Sequence, residues 1–125
     1  MAVQDDHMIR NIQDVGRLIA KLLLHEQQPN YTLPENEADY TEADKLFVTI
    51  MKLAEEGKIN EAENELYVGM VEDDVDYLEL ALTFYLYLND MDGYLLDDNG
   101  YSREEVLDGM KELASDWGVT GLEAF

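Results

Sequence analysis

Residues 53–69 read LAEEGKINEAENELYVG, and this stretch decides the fold. Leu53 and Ala54 close one apolar-periodic segment, and Ala62 and Leu66 open another. Between them, Gly57 sits where a left-handed residue would end the first helix at little cost. A stop followed at once by a new start describes two antiparallel helices joined by a tight turn.

Working outward, five helices are expected. The segment Glu42–Glu56 carries Ala43, Leu46, Phe47, Ile50, Met51, Leu53 and Ala54 at steps of three and four, the spacing of one helical face. The partner helix from Glu61 is expected to bury Ala62, Leu66, Tyr67 and Met70. A fourth helix, Tyr77–Asn89, is apolar almost all round, with only Asp76, Glu79 and Thr83 as a narrow polar stripe. Such a helix must be covered on several sides, centrally or by a second subunit. A fifth follows Ser102 with Val106, Leu107, Met110, Leu113, Ala114 and Trp117, and stops at Gly118. The first, His7–His25, has an apolar stripe of Met8, Ile12, Val15, Ile19, Leu22 and Leu23, with Arg10, Arg17 and Lys21 on another face. Residues 26–40 hold both prolines and read as a linker to the core at 41–125. Residues 1–125 are thus expected to form a single all-α domain, since no stretch alternates with period two.

Four helix starts share one signature. Thr41 precedes Asp44, Asn60 precedes Glu63, Asp76 precedes Glu79, and Ser102 precedes Glu105, each by three residues. That is the spacing of a capping box, in which a short polar side chain and an acid satisfy backbone N–H groups of the first turn.

Helices two and three resemble one tetratricopeptide-like unit over about Ala43–Asp76, with Leu53, Gly57, Ile59, Ala62 and Leu66 at its packing positions. Ile50, Gly69 and Asp74 depart from that pattern. Helices four and five are open to reading as a second, degenerate hairpin with an enlarged loop, so a small bundle with one or two such hairpins is expected. The chain as a whole resembles a family of short bacterial proteins of unknown function, found mostly in Gram-positive organisms. The likeness rests on MIRNIQDVGRLIAKLL, on ADKLF, GKINEAEN and LELAL in the centre, and on YSREEVLDGM. It implies an all-helical, tetratricopeptide-like fold and no activity.

Charge narrows function further. Against 29 acidic residues stand 8 basic ones, a net charge of −21, which repels nucleic-acid phosphates and anionic membranes and favours either a well-solvated helical surface or basic partners. Without cysteine there is no disulfide, thiolate metal site or cysteine nucleophile. The opening MAVQDDHM is acidic, unlike a signal peptide, so a cytoplasmic location is expected. His7 and His25 would lie roughly 27 Å apart on one helix, too far for a shared site. The acidic stretch DMDGYLLDDNGYSREE fails both calcium-loop registers: Gly100 at the sixth position puts Leu95 first and Val106 twelfth, and Gly93 puts Leu88 first.

No catalytic, cofactor-binding or metal-ligating residue is assigned, and the chain is expected not to be an enzyme. The leading expectation is a helical interaction module for a protein partner of basic character, with neither nucleic acid nor membrane as partner. Its expected interface comprises Arg10, Arg17, Lys21, Ile12, Ile19 and Leu23, and a homodimer is expected to cover the apolar faces. An acidic mimic of nucleic acid, a weak binder of a small molecule or cation, and an enzyme using paired carboxylates are the alternatives.

Overall fold

The computed structural model describes residues 6–123 and 125; Met1–Asp5, read above as part of an acidic opening, lie outside the described residues. Among the described residues six α-helices follow one another: α1 (Asp6–Ile19), α2 (Glu42–Glu55), α3 (Ile59–Gly69), α4 (Val75–Asn89), α5 (Gly93–Asp98) and α6 (Arg103–Asp116). No strand occurs among the described residues, so the all-α expectation holds. Within the acidic stretch DMDGYLLDDNGYSREE lies the short helix α5, with Asp92 as its cap. Among the described residues, no helix is long and apolar enough to cross a membrane.

The deciding turn forms as read. Gly57 adopts φ +81°, and the N–H of Lys58 donates to the Leu53 carbonyl at 2.8 Å, closing α2. A side chain at Gly57 would also meet the Asn99 amide, 2.7 Å from a Cβ. The hairpin packs closely at its far end, where Leu46 approaches within 2.8 Å of a Cβ built on Gly69.

The nearly all-apolar α4 lies at the centre, against α1, α2 and α6. Leu78, Leu80, Ala81, Leu82, Phe84, Tyr85 and Leu88 are all buried. α1 packs on α6 and α4, with Ile12, Val15 and Ile19 at 0% exposure. Both helices invoked for a homodimer are therefore covered within one chain.

Beyond Ile19 the helix widens into a π turn, Ala20–Leu24, and ends at His25 in the left-handed conformation. The extra residue per turn carries Leu22 off the apolar stripe to 54% exposure, contrary to its expected place.

Residues 26–40 are more than a linker: they form a strap over the polar stripe of α4. The N–H of Asn30 donates to Glu79 Oε2 at 3.1 Å, and that of Tyr31 to Thr83 Oγ1 at 3.0 Å. The Tyr31 ring leans on Phe47 at 4.8 Å between centroids. Its hydroxyl donates to Asp44 Oδ1 at 2.6 Å, while Asp44 Oδ2 accepts from the N–H of Thr41 at 2.8 Å. The expected Thr41–Asp44 capping box is thereby also the strap's anchor. At the opposite end, buried Arg103 donates to the carbonyls of Asn89 and Met91, satisfying the exit of α4. The Asn89 amide in turn reaches the Ile9 carbonyl at 3.1 Å.

The other two expected caps are corrected. α3 starts at Ile59, two residues earlier than Glu61, with Lys58 at the cap and no side-chain bond there. α4 starts at Val75 and is capped by Asp74, whose carboxylate accepts from the N–H of Asp76 at 3.0 Å.

The Tyr31 hydroxyl first, then the backbone N–H of Thr41, hold the Asp44 carboxyl below the ordinary carboxylate range. A depressed carboxyl contributes stability above its unfolded pKa of about 4, and that contribution drains away as pH falls through the lower folded value. Burial acts oppositely on Glu79 and raises its carboxyl. That effect is common to wild type and a Tyr31 variant. Tyr31→Phe should therefore cost about 1–3 kcal/mol at neutral pH, and urea titrations should show the gap closing below about pH 4. In the same assay Ile12→Ala should cost about 2–5 kcal/mol, whereas Arg10→Glu with Arg17→Glu should stay within about 1 kcal/mol.

Candidate functional site

The residues expected to form an interface divide in two. Ile12 and Ile19 are fully buried inside the monomer, a correction to that expectation, and Leu23 packs partly against the same core. Arg10, Arg17 and Lys21 are exposed. Arg17 pairs with Asp14 at 3.4 Å, and Arg10 Nε donates to the Asp6 carbonyl at 3.3 Å, so both engage their own helix.

A different surface is concave. The second half of α3, the connection to α4 and the end of α6 enclose a cleft of about 470 Å³. Leu66, Met70 and Leu113 supply aliphatic wall, Tyr67, Tyr85 and Trp117 aromatic wall, and Glu72, Asp73 and Asp116 a carboxylate rim. None of the six expected interface residues lines it. A wider depression of about 780 Å³ over α2 and α3, lined by Val48, Leu53 and Glu61 among others, is more open.

Helix phase explains how the cleft is walled. On α3, Leu66 turns to the core, while Tyr67, expected to be buried, stands 49% exposed beside it. Trp117 follows α6 at its cap position, half-buried. Tyr85 comes from the buried face of α4 and reaches the cleft because α6 offers no side chain at Gly109. A Cβ there would lie 2.6 Å from Tyr85 Cε1 and 2.7 Å from its Cζ and Oη.

Behind the cleft the phenols converge on one carboxylate. Glu63 Oε2 accepts from Tyr85 at 2.7 Å and from Tyr101 at 2.8 Å. Because the Tyr85 proton is committed to Glu63, the Tyr67 hydroxyl donates to Tyr85 at 3.4 Å. Burial first, then the neighbouring Tyr67 and Glu63, push the Tyr85 phenol far up. Burial and the charge of Glu63 do the same to Tyr101. Both remain protonated donors across the physiological range. Asn60, the expected cap partner of Glu63, donates instead to the Gly100 carbonyl at 3.3 Å. Among the described residues no group of three or more His, Asp or Glu is placed to hold a metal ion.

The model of the family of unknown function DUF6483 matches residues 2–118, and the chain belongs to that family. Neither a curated protein nor a solved structure matches it.

Two substitutions probe the wall. Gly109→Ala forces a buried ring to move and should cost about 1–3 kcal/mol. Tyr85→Phe leaves Glu63 with a single phenol donor and should cost about 1–3 kcal/mol. Denaturant midpoints measure both, and unchanged midpoints would contradict the packing described.

Proposed function

We propose that this member of the family is a non-catalytic helical interaction module that holds a partner protein in the cleft between α3 and α6. One observation carries the reading: aromatic and aliphatic side chains gather around a concavity instead of being scattered. Tyr67 and Val71 are 49% and 45% exposed at its edge, and Leu66, Met70 and Leu113 floor it. Exposed apolar surface gathered in a concavity, with tyrosine and tryptophan at its wall, suits a protein contact. The hydroxyls of Tyr85 and Tyr101 are each spent on Glu63, which supports a structural role for them over a chemical one.

We further take α2 and α3 as a single tetratricopeptide-like hairpin, supported by their short turn and close packing along one another. One such unit lacks the long concave groove of a repeat array. The cleft at its edge offers a shorter site.

Placing the photo-reactive residue p-benzoylphenylalanine at Val71 in living cells tests this reading. A discrete protein adduct is expected from Val71 and none from the same residue at Leu95, which is exposed on α5. No adduct from Val71, or the same pattern from both positions, would refute the interaction reading.

A further inference from the structure

Resting on that interaction reading, we infer that the cleft takes an arginine or lysine side chain carried by an otherwise apolar segment of the partner protein. The rim carries Glu72, Asp73 and Asp116, and no lysine or arginine lines the cleft. The three ion pairs among the described residues, Asp14–Arg17, Glu42–Lys45 and Glu56–Lys58, are all local in sequence and leave these carboxylates out. Glu63, just behind, is met by neutral phenols and by no cation among the described residues. Glu63 and Glu112 both act electrostatically on Tyr67, so the aromatic wall stands in a negative field. A cation above the faces of Tyr67 and Trp117 would meet ring quadrupoles and carboxylates of the same preference. The aliphatic floor and the volume of about 470 Å³ leave room for the residues on either side of that cation, which argues for a segment over a lone ion.

The chain contains a single tryptophan, and it lines this cleft, so its emission reports on the site without a label. Three probes separate the sources of binding: acetyl-Leu-Arg-Leu-amide, the same peptide with neutral citrulline for arginine, and agmatine. The arginine peptide should shift Trp117 emission and bind about three- to thirtyfold tighter than the citrulline peptide. The gap should narrow in high salt. It should vanish in the Glu72→Gln, Asp73→Asn, Asp116→Asn variant, whose changes are all at exposed positions. Asp73 has φ +63°, a conformation asparagine also accepts. Equal affinity for the two peptides would overturn the charge inference while leaving the interaction module standing. Agmatine binding as tightly as the arginine peptide would replace it with a small organic cation site. Silence from both peptides alongside a Val71 adduct would mean a partner of other chemistry, and silence in both experiments would remove both readings.

Discussion

A helix of fifteen residues with apolar side chains on nearly every side cannot stand in water, and the rest of this fold answers that constraint. α1, α2 and α6 each cover part of α4. The narrow polar stripe that remains is closed by the strap. Its two ends are handled separately, with Asp74 capping the entry and Arg103 satisfying carbonyls at the exit. The cleft opens beside Tyr85, whose buried ring packs against Gly109 where any side chain would displace it.

Most of the architecture was legible because apolar spacing and capping chemistry are local properties. Thr41 with Asp44 and Ser102 with Glu105 form capping boxes, as their spacing implied. Glu63 and Glu79 show where local reading stops. Each stands three residues after a polar residue near a helix start, as a box requires, yet each is used at a distance. Glu63 binds phenols from Tyr85 and the segment before α6, and Glu79 holds the strap. Both starts lie two residues earlier than the pairs suggested. With α3 starting at Ile59 and α4 at Val75, both acids stand past the first turn, where their side chains have no free backbone N–H to cap and are left for partners elsewhere in the fold.

The cleft was not legible, for a related reason. Tyr67 falls in phase with Ala62 and Leu66 closely enough to read as core, and only the placement of α3 on α2 decides that it faces outward. Tyr85 and Trp117 are separated from it by long stretches of chain, and no fixed spacing links them. The basic residues of α1 drew attention because positive charge is scarce here. Arg103 is the one buried at an element junction, and nothing in its local sequence marks it as such.

The strap is held on α4 by its backbone: the bonds to Glu79 and Thr83 come from the N–H groups of residues 30 and 31. Any side chain can ride on such a donor, so for these two bonds the burden of inheritance falls on the helix and not on the loop. Position 30 can drift freely through mutation, while Glu79 and Thr83 must keep an acceptor. The one residue both donor positions refuse is proline, which has no N–H to give. The chain's two prolines, Pro29 and Pro34, stand on either side of that pair.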